Sequence, residues 1–281
     1  MRPAGRGSAV LLCARQELVL SARSRATQIF AAVFAVLSLA VAASGYVLSG
    51  GGGFEDFART ATSLASLVVL LVPVTSLVIG ILALVPDRGA AEILFSQPVP
   101  RRAILVGRLL GLFAALAAAQ TIGLGAAGLV IFGHSGGEGL SAYALLYASS
   151  LALTAVFLAI ASLIASGTGV RRSRALALGL IVWFAAVVLF DVAVLALATL
   201  LPSGHASRLL VTAVLVNPAD AIRTATLLAI QGTAAFGAAS LALLRFTRGP
   251  VGAALLLGAS ALFWTLVPVG LAIRRLDRSD I

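Results

Sequence analysis

Asp191 is a lone carboxylate inside an apolar run, VVLFDVAVLAL at 187–197. An acid at that depth in an apolar helix is costly unless it is paired or lines a polar cavity. Two roles are open to it: a residue of a substrate path, or a structural acid bonded to a neighbouring helix. Few other side chains offer chemistry. The chain has no lysine, so it holds no G-x-x-x-x-G-K-[ST] loop for ATP and no Schiff-base amine. Cys13 is the only cysteine, which rules out an internal disulfide and a thiolate cluster. His134 and His205 are the only histidines, with no H-E-x-x-H. Met1 is the only methionine, so a ladder for soft metals is missing. No metal site and no cofactor of its own are expected of this chain.

Gly133-His134-Ser135-Gly136 has the G-x-S-G form found in intramembrane serine proteases. Such a serine needs a histidine on a second span to activate it. His205 instead follows Pro202, in a connection. A glycine-rich turn accounts for the motif more simply, and the protease stands as a rival reading.

The elements that must position these residues are membrane helices. The chain of 281 residues is 60% hydrophobic, 11% charged, and has a mean hydropathy of +1.10. A soluble domain has about 45–50% apolar and about 25% charged residues. Long apolar runs recur without alternation, so the fold class is an all-α polytopic membrane protein. Six spans are expected, at about 27–49, 61–85, 103–133, 141–166, 175–201 and 250–273. One membrane domain covers 1–281. Residues 9–25 read as a helix at the membrane interface, with Val10, Cys13, Ala14, Glu17, Leu18 and Ser21 on one face. The stretch 203–249 is open: 225–244 lacks charge and is long enough to span, but is rich in Ala, Thr and Gly.

The net charge of +10 comes wholly from arginine. The arginines lie beside spans, where they set orientation, so nucleic-acid binding is set aside. Six spans with both termini inside place 15 arginines inside and 5 outside; seven spans place 14 and 6. Arginine asymmetry therefore barely separates the two.

One connection is unlike the others: Asp87–Arg108, DRGAAEILFSQPVPRRAILVGR. Gly89 permits a tight entry, and Pro98 and Pro100 fix the exit. Residues 90–96 suffice for about two helical turns, with Glu92 and Ser96 on one side and Ile93 near them. A short charged loop of this kind suits docking by a separate protein: Glu92 meeting a basic groove, Ile93 or Leu94 packing into it. The plainer alternative is a loop whose acids pair only with its own arginines in water, at ~0–1 kcal/mol per pair.

The loop resembles the one between the second and third spans of ABC-2 type permeases, E-x-G-T-x-x-x-L-L-x-x-P-x-x-R running into a span that opens with a basic residue. Asp87, Gly89, Ala90, Leu94, Phe95, Pro98, Arg101 and Arg108 fall on those positions, with Asp87, Ala90 and Phe95 as departures. ARQELVLSARSR, with Arg15 and Glu17, is similar to the family's R-x-E-L elbow. This resemblance favours six spans, with 203–249 as outer-face helices that lie in or dip into the membrane. A narrower resemblance joins ARQEL, the fifth-span stretch from Trp183, and LVNPADAIR (Leu215–Arg223) to permease subunits of nitrous oxide reductase maturation transporters. It implies a dimer of this chain in a bacterial or archaeal cytoplasmic membrane, with both termini cytoplasmic. It also implies a cytoplasmic P-loop ATPase that binds ATP and Mg, and a periplasmic accessory protein. The cargo so implied is a sulfur species for a copper–sulfur centre. Lipid surrounds the chain. Asn217, Pro218, Asp220 and Arg223 become candidates for docking the outer partner, and Asp191 for the transport path. A drug, lipid or polysaccharide exporter permease and a non-transporting scaffold are the other readings.

Overall fold

The computed structural model describes residues 6–46, 54–85, 100–135, 137, 139–167, 171–232, 246–247 and 249–278. Among these, the regular structure is helical. The helices are α1 (Arg6–Arg23), α2 (Arg25–Tyr46), α3 (Phe54–Leu84), α4 (Arg101–Ser135) and α5 (Leu140–Ala165). They continue with α6 (Arg172–Phe184), a π turn (Ala185–Leu189), α7 (Phe190–Leu200), α8 (Ser203–Val216), α9 (Pro218–Gln231) and α10 (Pro250–Arg278). Six helical stretches are long and apolar enough to cross a membrane: α2, α3, α4, α5, α6–π–α7 and α10.

Local chemistry sets the boundaries. Ser24 separates α1 from α2, and its Oγ accepts the Thr27 amide at 3.2 Å. A serine in that place satisfies one of the four unpaired amides that open a helix. The first span therefore begins at Arg25, two residues earlier than the sequence suggests. α4 has 35 residues, roughly 52 Å of helix. The hydrocarbon layer is ~30 Å, so α4 extends beyond it, with Arg101, Arg102 and Arg108 in its first turns.

The second, third and fourth spans form the centre of the bundle. Phe57, Leu64, Leu77 and Ile81 of α3, Leu112, Leu116, Leu124 and Ile131 of α4, and Leu146 and Phe157 of α5 are fully buried. Phe34 of α2 joins them, its ring against Gly123. The fifth span is different. It approaches α3 at Gly179, beside Ile81, but no residue of its most apolar stretch is buried.

α8 and α9 make up most of the described part of the open stretch. They meet at an angle of 107°. α8 leaves the end of the fifth span, and α9 returns until Gln231 Nε2 donates to Thr62 Oγ1 at 2.5 Å, in the early turns of α3. Their elbow is deep: its bonds reach Ala186, midway between Arg172 and Leu200, and Trp264, midway between Pro250 and Arg278. The pair enters and leaves by one end of the bundle, as a re-entrant hairpin. Of the outer-face segment expected from sequence, residues 233–245 lie outside the described residues.

α1 packs on α4 through a close approach that only glycine allows. A Cβ on Gly107 would lie 2.5 Å from Cys13 Cβ and 2.7 Å from the Val10 carbonyl. On Gly111 it would lie 2.5 Å from the Ala14 carbonyl and 2.7 Å from Glu17 Cβ. Gly107-x-x-x-Gly111 is thus a small-residue docking strip. The opposite face of α1 exposes Leu11, Leu12, Val19 and Leu20 beside Arg15, as an interfacial helix does. Because backbone atoms block the space, Gly111→Val should lift α1 off α4. Limited trypsin cleavage after Arg15 should rise roughly tenfold, as for a local opening that costs about 1.4 kcal/mol less. Gly125→Val, at a glycine with nothing within 4 Å, should leave the rate unchanged.

Candidate functional site

Two polar clusters stand out, one at each level of the bundle. The first is at the arginine-rich end, where α1 and α4 begin and α3, α5 and α10 finish. A helix leaves its last four carbonyls without intrahelical partners. Here arginines from neighbouring helices supply them. Arg172 Nη2 donates to the Leu82 carbonyl at 2.9 Å and to the Val85 carbonyl at 3.2 Å. Arg108 Nη2 donates to the Ala83 carbonyl. Arg101 Nη1 donates to the Leu276 carbonyl at 2.9 Å, and Arg275 Nη1 to the Leu163 carbonyl at 3.4 Å. The cationic side chains also sit at the negative ends of those helix dipoles.

Arg108 does one thing more. Its Nε donates to Glu17 Oε2 at 2.9 Å, with Glu17 nearly buried. Ser21 Oγ donates to the other Glu17 oxygen at 3.3 Å. One guanidinium therefore joins α1, α4 and the end of α3. The elbow glutamate and the basic residue opening the third span are two of the residues that carry the family resemblance, and the structure brings them together. Arg15, their companion in the elbow motif, is exposed and stands apart. Arg102 pairs with Asp277 at 2.6 Å in a solvent-exposed position, which contributes little.

The other loop residues singled out by sequence, Asp87, Gly89, Glu92, Ile93, Leu94 and Pro98, lie outside the described residues. What the structure gives is the two ends of that loop. Val85 is buried and held by Arg172; Arg101 is held by Leu276.

The second cluster is the elbow of the hairpin. Asn217 caps α9: its Oδ1 accepts the Ala219 amide at 3.1 Å. Its Nδ2 donates to the Ala186 carbonyl at 2.6 Å and to Asp220 Oδ2 at 3.1 Å. Arg223 Nη1 donates to Asp191 Oδ2 at 2.7 Å. The last carbonyls of α8 are met from the sixth span: Ser260 Oγ donates to Leu215 at 2.7 Å and Trp264 Nε1 to Val216 at 2.8 Å. Irregular backbone at this depth is tolerated where protein supplies its partners.

Asp191, read alone from sequence, thus has a cationic partner, one of the residues considered for outer docking. Of the candidates for docking an outer partner, Asn217 and Pro218 are buried within the bundle. Asp220 and Arg223 remain partly exposed. Sequence reasoning missed the π turn, which has no local signature. It also missed the Gly107-x-x-x-Gly111 strip, whose spacing was readable. Behind α9, a mostly apolar cleft of about 430 Å³ is walled by small residues, among them Ala148, Ala152, Ala225, Ala229 and Ala254. Among the described residues no three His, Cys, Asp or Glu side chains come together as a metal would require.

Glu17→Ala would leave the Arg108 charge without its buried counterion. It should lower folding stability by roughly 3 kcal/mol, seen as a drop in Tm of the detergent-solubilised protein. Glu17→Gln keeps an acceptor and should lose less.

Comparisons with known proteins agree with this architecture. The model of the ABC-2 family transporter protein family matches residues 12–281. A protein from Pseudomonas aeruginosa, named as a probable ABC transporter permease protein NosY, is 37% identical over 237 residues, covering 82% of this chain and 85% of that protein. A protein of the same name from Stutzerimonas stutzeri is 36% identical over 235 residues, covering 81% and 85%. A multi-span helical bundle, an elbow helix bonded to the third span, and a match over nearly the whole length place this chain in the ABC-2 family of ABC transporter permeases.

Proposed function

We propose that this permease subunit moves a small sulfur species across the cytoplasmic membrane for maturation of the copper–sulfur centre of nitrous oxide reductase. The likeness to two NosY permeases supports it, as does the elbow of the hairpin, where the fifth span and LVNPADAIR meet through Asn217–Ala186 and Arg223–Asp191. Cells lacking this chain should make nitrous oxide reductase without its copper–sulfur centre. The spectrum of the purified reductase reads this directly. A fully loaded reductase from such cells would leave a general ABC-2 exporter as the reading.

ATP hydrolysis belongs to a separate P-loop subunit, which binds ATP and Mg. The arginine-rich end, with both chain termini, faces the cytoplasm on this reading. A second copy of the chain covers the fifth span. Support for that pairing is physical: this span buries none of its most apolar stretch, and its Asp191–Arg223 pair is 42% and 43% exposed at mid-depth. An ion pair open to lipid is costly, and a partner copy removes that contact. Asp191 then borders the transport path between copies. A periplasmic accessory protein meets the far end.

The observation that carries energy coupling is the anchorage of the 86–99 loop. Its entry is tied at Val85 by Arg172 and its exit at Arg101 by the Leu276 carbonyl. Beside them, Arg108 links the end of α3 to Glu17. A push on such a loop moves the second and third spans instead of being absorbed. Asp87→Arg with Glu92→Arg should leave the permease inserted but abolish ATPase co-purification and stimulation. A variant that binds and stimulates its ATPase as the parent does would exclude this loop as the coupling element. Loss of coupling would also fix orientation, because the ATPase works on the cytoplasmic side.

A further inference from the structure

We propose that Asn217 is a positioning residue of the transport path: its side-chain amide holds the fifth span in the π register that sets Asp191 against Arg223. The inference rests on the reading that Asp191 borders that path.

The physical basis is the turn at Ala185–Leu189. There the Phe190 amide bonds to the Ala185 carbonyl, five residues back instead of four. A π turn carries one residue more than an α turn, and its carbonyls tilt away from the helix axis. One of them, on Ala186, accepts from Asn217 Nδ2 at 2.6 Å. In an α-helix each residue advances about 100° around the axis. Returning this turn to α geometry would rotate α7 by roughly that angle relative to α6. Asp191, the second residue of α7, would then turn away from Arg223. Both ends of the arrangement are fixed by α9, since Asn217 is its cap and Arg223 lies in its second turn.

Asn217 has two separable tasks. Its Oδ1 caps α9 through the Ala219 amide, which is structural. Its two amide hydrogens go to the Ala186 carbonyl and to Asp220. Serine and aspartate cap helices as well as asparagine does but lack the amide donor. Asn217→Ser therefore keeps α9 while releasing the π turn.

The test uses the assembled transporter with Cys13→Ser. A cysteine is placed at Val194, on the inward side of α7, or at Leu195, which is 65% exposed in the single chain and lies on the span that the second copy is proposed to cover. With Asn217→Ser, the ratio of their maleimide labelling rates should shift threefold or more. An unchanged ratio would overturn the proposal. Turnover per assembled complex then separates the two claims. Asn217→Ser and Asp191→Asn should each lower transport-coupled ATP hydrolysis by about threefold to tenfold, and the double variant should be no slower than the worse single one. Multiplying defects would show that Asn217 acts only as a cap, and overturn the proposal. A shifted labelling ratio with normal turnover of Asp191→Asn would uphold the register role and remove Asp191 from the path. Should the serine variant not assemble, Asn217→Asp carries the same comparison.

Discussion

A helix that stops inside or beside a membrane leaves carbonyls that water does not reach, and the whole molecule is arranged around supplying them with donors. Three helices finish at the arginine-rich end. Each has a guanidinium from a neighbour on its last turn: Arg172 and Arg108 on α3, Arg275 on α5, Arg101 on α10. The fourth such end, that of α8, is buried at mid-depth, where a charge is hardest to place. Neutral donors from Ser260 and Trp264 serve it instead.

The choice of arginine has a consequence. A guanidinium has five donors in a planar fork, so it meets a carbonyl and a carboxylate at once. Arg108 does this with Ala83 and Glu17. An ammonium is a single point of charge on a flexible stem and would not hold three helices in one geometry. The residues that fix orientation by their charge therefore also lock the ends of the spans. The arginine-rich end of the bundle is cross-linked by side chains from several helices.

The other end is built the opposite way. The fifth span is hardly buried, carries a π turn, and is held mid-length by the hairpin through Asn217 and Arg223. Few packing contacts mean a low free energy for local rearrangement. A cross-linked arginine-rich frame and a loosely packed fifth span suit the transport role proposed above, with motion starting at the first and expressed at the second.

Much of this was legible in the sequence. Length and continuity of the apolar runs determined six spans, because a backbone in lipid has to pair with itself within each segment. The absence of lysine excluded a G-x-x-x-x-G-K-[ST] loop from this chain. Elbow and loop motifs showed the family, and Gly107-x-x-x-Gly111 carried a docking signal in its spacing. Tertiary structure decided which residues meet. Glu17 and Arg108 are ninety-one positions apart, and no local pattern pairs them. Asp191 and Arg223 looked like a buried acid and a surface base until the hairpin folded back. The π turn meets a donor from another helix, Asn217 Nδ2 on the Ala186 carbonyl, and such a contact is absent from any local window of the chain around the turn.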